Sequence, residues 1–379
     1  MSLVKQKDII EIKLAKIAPI VSKIRNSSYA DNRLTLQGQE IGKLFDRIGF
    51  EVPNISNPEI LKLLKFIEFI SWEIEFLENS MSNSLSFEIV ELFKGIGNYW
   101  IPEFEKNFIL TLRQSHGDSS YSFGYPFGDI KEYLANNKII PYRSIYISLP
   151  KKSSSDWLTH SVLFHEFAHF VDINLSLTDR IYNGYMIEND NENKELCRIL
   201  DIPKNELDTN EKDIEDTIKY HLKEYFADIF SAQYIGRSLC YWLEANVPEK
   251  LASKTHPATK DRTREIVSFC ENRPSEIREF LQERCMLILP SKQLFVPKYS
   301  DPNADYFSEF VPINNPSLEN IYGAFEYSWR TLLDPVHNIR ISSKDFNQAY
   351  SIVNNLLEKS ISNYFILEKW NYVSSETKN

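Results

Sequence analysis

Residues 164–172 read Phe164-His165-Glu166-Phe167-Ala168-His169-Phe170-Val171-Asp172, or FHEFAHFVD. Two histidines and two acids interrupt a run that is otherwise wholly apolar. Burying a charge is costly unless it is paired or binds a metal, so these polar residues need a reason. The four-residue spacing supplies one: on a helix, His165 and His169 lie one above the other on the same face. Two imidazoles so placed can share one tetrahedral zinc ion at about 2.0–2.1 Å each. Glu166, next to the first of them, can hold and deprotonate a water on that ion. The pattern is HExxH. A helix with two hydrogen-bonded core histidines and a solvated glutamate would spell the same letters, so the rest of the chain must decide.

Working outward, KKSSSD (151–156) offers Ser and Asp as helix caps, and WLTHSVLFHEFAHFVDINL reads as the helix they start. Before it, KIIPYRSIYISLP alternates apolar and polar residues around Ile145, Ile147 and Leu149, which predicts a strand over 139–149. The stretch from 176 to about 216 is acid-rich and predicts an exposed connection with short helices. Beyond it, one helix is expected from Ile214 up to Pro248. On that helix Glu224 and Asp228 are four residues apart, among Tyr225, Phe226, Ala227, Ile229 and Phe230. Such neighbours argue against a solvated face.

A catalytic zinc takes three protein ligands and keeps its fourth position open. The metzincin continuation, Gly and then His, is absent, because Asp172 and Leu175 occupy those places. Glu224 can instead ligate from the second helix, while Asp228 accepts the N–H of a zinc histidine and fixes its tautomer. His221, on the same face three residues earlier, is a substitute ligand or, more plainly, a polar contact near the site. Asp172 is either an acceptor for His169 or a cap.

HEFAH together with EYFAD (224–228) resembles the gluzincins, zinc peptidases with an HExxH plus ExxxD signature. THPATKDRTREI (255–266) is similar to the His-Pro…Arg segment of the family of CaaX prenyl proteases and the bacterial heat-shock membrane protease. The two acidic and histidine motifs are also similar to two soluble groups, the lethal-factor-like and MtfA-like zincins and the ImmA/IrrE-type peptidases. The resemblance spans roughly residues 140–270. It implies a mainly α, α+β fold: a zincin-like catalytic core with a small edge-strand sheet, flanked by helical N- and C-terminal regions. It implies Zn²⁺ held by His165, His169 and Glu224, with Glu166 as general base. By the same resemblance His256 stabilises the oxyanion, and Arg262 pairs with Asp228. The strand over 139–149 would be the edge strand that pairs with an extended substrate. The CaaX and heat-shock enzymes are membrane proteins and this chain shows no membrane span, so their substrates do not carry over.

Composition bounds the rest. The chain has 379 residues, 42% apolar and 25% charged, which is ordinary for a globular protein of two or three domains. A net charge of −10 argues against a nucleic-acid footprint. The longest apolar run, from Ile60 to Glu78, is broken by Lys and Glu at helical intervals and reads as an amphipathic core helix. The N-terminus lacks the uncharged core of a signal peptide. Cys197, Cys240, Cys270 and Cys285 form no CxxC pair and read as reduced thiols of a cytoplasmic protein.

SHGDSSYSFGYPFGD (115–129) is expected to be a loop at a domain boundary. The expected domains are a helical region over 1–120, the metallopeptidase over 121–275 and a second helical region over 276–379. The expected partner is a protein or peptide substrate, with neither nucleic acid nor membrane. Two other readings stay open: a catalytically silent zincin-fold binding or regulatory protein, and a helical structural protein with incidental motifs. Zinc content separates the last from the others.

Overall fold

The computed structural model describes residues 3–27, 29, 31–51, 57–80, 87–115, 121–124, 142–150, 153, 155–189, 193–203, 211–302 and 305–376. The chain divides into two units, Met1–Ser154 and Ser155–Asn379, where the sequence suggests three regions. The helices beyond residue 275 belong to the same unit as the HExxH helix. The molecule is mainly helical with one small mixed sheet.

The first unit contains α1 (Leu3–Arg25), α2 (Asn32–Glu51), α3 (Asn57–Ser80), α4 (Phe87–Trp100), the one-turn α5 (Phe104–Asn107), and strands β1 (Phe108–Ser115), β2 (Ser122–Gly124) and β3 (Arg143–Pro150). Along α3, Ile60, Leu63, Ile67, Ile70, Ile74 and Leu77 are buried at steps of three and four, the spacing of a single helical stripe. Ile10, Leu14, Val21 and Ile24 of α1 and Leu34, Ile41 and Ile48 of α2 belong to the same core. One acid interrupts it. Glu73 is buried, and its carboxylate accepts from Ser144 Oγ at 2.6 Å and Gln37 Nε2 at 3.1 Å.

The sheet order is β1-β3-β2. β1 runs parallel to β3 from Phe108↔Arg143 to Ser115↔Pro150, and β2 pairs antiparallel with it at Ser122↔Ser148 to Gly124↔Tyr146. This corrects the edge-strand expectation, since β3 is the middle strand and both its sides are hydrogen-bonded over Tyr146–Ser148. The physical sign is burial on both faces: Ile145, Ile147 and Leu149 on one, Ser144 and Tyr146 on the other. Residues 139–141 and most of the 115–129 stretch lie outside the described residues, although β2 falls within the latter.

The second unit runs α6 (Ser161–Leu175), α7 (Leu177–Glu188), α8 (Asn193–Ile199), α9 (Glu211–Ile235), α10 (Ser238–Asn246), α11 (Thr259–Cys270), α12 (Glu276–Ile288), α13 (Leu318–Leu333), α14 (Asn338–Ser342) and α15 (Phe346–Glu376). From Glu224 to Ile235 every residue of α9 is buried, which makes it the central helix. α6 packs along it, and α11 and α13 pack against other faces. Aromatic rings fill the junction: Phe164 meets Phe325 at 5.3 Å between centroids, and Tyr234 meets Tyr322 at 5.0 Å.

Three local expectations change. The helix expected to reach Pro248 breaks at Gly236, whose φ of +55° is left-handed. A Cβ there would collide with Glu326 Oε2, so only glycine fits. The Glu326 carboxylate occupies that space because it accepts Arg237 N–H at 3.0 Å. Ser153, Ser155 and Asp156 do not cap α6, which starts at Ser161 with no side-chain cap; Ser154 lies outside the described residues. Asp156 instead accepts Tyr350 O–H at 2.9 Å and Thr159 N–H at 3.4 Å. The acid-rich connection is partly core, since Leu177, Ile181, Tyr182, Tyr185 and Met186 of α7 are buried.

The four cysteines are free thiols; burial pushes Cys270 up to about 12. Among the described residues no helix is long and apolar enough to cross a membrane.

Candidate metal centre

The packing of α6 on α9 brings the two halves of the motif together. His165 and His169 lie one helical turn apart, and their Nε2 atoms approach to 3.0 Å. Glu224 comes in from α9, with Oε2 3.4 Å from His165 Nε2 and Oε1 3.3 Å from His169 Nε2. These residues form a group that can hold a metal ion. Ligands at about 2.0–2.1 Å around a tetrahedral ion are separated by about 3.3 Å; the two imidazoles are near that spacing, and each has a different Glu224 oxygen near it. The donor set agrees: two neutral imidazoles and one carboxylate suit a divalent transition ion. Glu224 Oε2 is buried and makes no well-aligned hydrogen bond; its neighbours are His165 and the Arg262 guanidinium, at 3.4 and 3.3 Å.

Behind the donors stands a second layer of charge. Asp228, one turn beyond Glu224 and fully buried, faces His165 Nδ1 at 3.0 Å. The Nδ1–H therefore donates to the carboxylate, and Nε2 keeps its lone pair for a metal. Arg262 of α11 forks onto the same acid, Nε to Oδ2 at 2.8 Å and Nη2 to Oδ1 at 2.7 Å. Its Nη1 also reaches Glu224 Oε2 at 3.3 Å, so one guanidinium spans both acids. Only its pairing with Asp228 had a signal in the sequence.

The electrostatics arise from burial and these partners. Burial opposes ionisation of Asp228, but Arg262 and His165 hold its pKa below the usual carboxylate range. Glu224 is likewise kept well below that range, His165 and His169 overcoming burial. For His165, burial alone would lower the pKa, yet the carboxylates of Asp228 and Glu224 raise it to about 9. Without a metal, a proton thus fills part of the place that a cation would take. Glu166, next to His165, is raised above the ordinary glutamate value mainly by burial.

His256 lies opposite, Nε2 3.7 Å from Glu224 Oε1, with Thr255 Oγ1 2.8 Å from its Nδ1. It is half-exposed, and burial lowers its pKa. The residues singled out in the sequence therefore converge: His165, Glu166 and His169 from α6, Glu224 and Asp228 from α9, His256 and Arg262 from the segment opening α11.

Two others stand outside the donor triangle. His221 bonds the Ser253 carbonyl at 2.8 Å through Nε2, which answers its ambiguity in favour of a polar contact. Asp172 caps α7, accepting Thr178 N–H at 2.7 Å and Thr178 O–H at 2.6 Å.

No protein-family model matches the chain, and neither a curated protein nor a solved structure does.

Proposed function

We propose that this protein is a zinc metallopeptidase that hydrolyses peptide bonds of a protein or peptide substrate. The observation behind the reading is the convergence of His165, His169 and Glu224, with a carboxylate beside the donors and an imidazole across from them. Zinc held there supplies a Lewis acid that polarises a carbonyl and lowers the pKa of a water toward about 7. The same donors also suit iron(II). Glu166 and His256 favour hydrolysis, because they are the proton-transfer and oxyanion groups that this chemistry needs.

In the proposed reaction Glu166 takes a proton from the attacking water as its oxygen bonds to the scissile carbonyl carbon. It then returns that proton to the amine nitrogen as the C–N bond breaks. His256 donates its Nε2–H to the carbonyl oxygen as negative charge grows there. Thr255 is compatible with this role: its hydroxyl, 2.8 Å from Nδ1, can donate there and so leave the ring hydrogen on Nε2. Asp228 keeps His165 in one tautomer and one orientation. Arg262 neutralises the pair of acids, so that Glu224 and Asp228 can both remain ionised in the interior.

The test combines metal content with hydrolysis of an unstructured protein such as casein. One zinc per chain is expected, lost in His165→Ala and in Glu224→Ala. Glu166→Gln should keep the zinc and lose the hydrolysis. Hydrolysis surviving in Glu166→Gln would rule the mechanism out. Zinc without hydrolysis in the wild-type protein would favour a silent binding or regulatory role instead.

A further inference from the structure

His221 is buried one turn before Glu224 on α9. Its Nε2 lies 2.8 Å from the Ser253 carbonyl oxygen; because a carbonyl only accepts, Nε2 carries the hydrogen. That carbonyl belongs to a tight turn. Ser253 N–H donates to His256 O at 2.8 Å, and His256 N–H donates back to Ser253 O at 3.3 Å. Ser253 thus forms with His256 a bridge in which the two residues face each other. A second link, Lys254 to Asp213 at 2.6 Å, ties the turn to the start of α9, but it is exposed and contributes little. Past the turn, Thr259 N–H bonds Lys250 O at 3.0 Å and Thr259 Oγ1 bonds Val247 O at 2.8 Å. The segment is therefore anchored on the far side as well.

We infer that His221 is a positioning residue: by holding the Ser253 carbonyl it clamps the Ser253–His256 turn to the helix that carries Glu224, and so sets where His256 stands relative to the metal-ligating carboxylate. A single helix then holds both the third ligand and the turn bearing His256. The rigid, buried imidazole suits this task, because its ring plane leaves the donor only one direction. The catalytic consequence rests on the metallopeptidase reading, whereas the clamp itself does not.

The experiment uses the full chain and two substitutions, His221→Leu, which keeps apolar bulk without a donor, and His221→Gln, which keeps a donor. Amide hydrogen exchange over residues 250–258, zinc content, and kcat and KM on a peptide substrate are measured for both, alone and in a His256→Ala background. His221→Leu should retain zinc, speed exchange at the Ser253 and His256 amides, and lower kcat roughly 10- to 100-fold with KM little changed, the scale of a misplaced group. In the His256→Ala background it should add almost nothing. His221→Gln should restore much of both effects.

Unchanged exchange in a folded His221→Leu overturns the clamp, as does an undiminished kcat loss in the His256→Ala background. Loss of zinc would also overturn it, because that would make His221 part of the metal shell. A wild-type protein that hydrolyses nothing removes the peptidase reading, and the exchange comparison then decides the clamp alone.

Discussion

Asp228 and Arg262 meet through two parallel hydrogen bonds of 2.8 and 2.7 Å, with Asp228 fully buried and Arg262 nearly so. A paired buried charge is tolerated, but a widowed one is not. Asp228→Asn leaves the guanidinium without its main counter-charge and should cost about 3 kcal/mol in denaturant unfolding of the metal-free protein. The low end of the range is expected because Glu224 keeps one contact with Arg262. Metal affinity should fall about 10- to 100-fold, since His165 loses the acceptor that orients it. A variant as stable as wild type would mean the pair contributes nothing.

Metal uptake should release a proton. In the metal-free protein His165 is pushed up to about 9 by Asp228 and Glu224, so at neutral pH its ring is protonated and a metal must displace that proton. Apparent affinity should rise about tenfold per pH unit through the neutral range and level off above pH 9. Titration calorimetry at pH 7 in buffers of different ionisation enthalpy counts the protons directly. A count of zero contradicts this picture of the site.

Glu73 links stability of the first unit to pH. Burial raises its pKa to about 7, and Ser144 and Gln37 only partly offset that. A raised acid binds its proton more tightly when folded. Its stabilising effect is therefore complete below the ordinary glutamate value and is lost as pH rises toward 7. Stability should fall by on the order of 3 kcal/mol across that window and then stay level. Glu73→Gln should flatten the dependence, its advantage over wild type growing across the same window. Urea unfolding at a series of pH values is the check.

Gly236→Ala should destabilise the second unit. Alanine would have to adopt a φ of +55° with its Cβ driven into the Glu326 carboxylate. The backbone alone costs about 1–3 kcal/mol, and displacing Glu326 removes the cap on Arg237 N–H. Thermal unfolding should show the loss, while the donor triangle, about three turns earlier on α9, should retain its metal affinity.

The donor triangle was legible because a helix turns regularly. Four-residue spacing alone puts His165 over His169, and Glu224 one turn before Asp228, whatever the rest of the chain does. The partner of Arg262 was legible through likeness to a known motif order, but its bond to Glu224 was not, since no spacing rule connects residue 262 to residue 224. The contact of His221 with Ser253 was hidden for the same reason. Alternation around Ile145, Ile147 and Leu149 announced a strand without saying who lay beside it. Burial of Ser144 and Tyr146 on the opposite face, and the pairing of β1 and β2 that makes β3 the middle strand, depend on segments that this alternation does not reveal. The break at Gly236 was obscured because apolar periodicity resumes on its far side, and only the Glu326 carboxylate explains why a left-handed residue sits there.

Because His221, Glu224 and Asp228 all project from one uninterrupted helix, their relative directions are a matter of arithmetic. Each residue added to an α-helix rotates every later side chain by about 100° around the axis. One insertion between 221 and 228 would swing a carboxylate off the ligand face or off Arg262, while the turn held by His221 stayed behind. The length of this stretch is therefore fixed as firmly as the three side chains it carries.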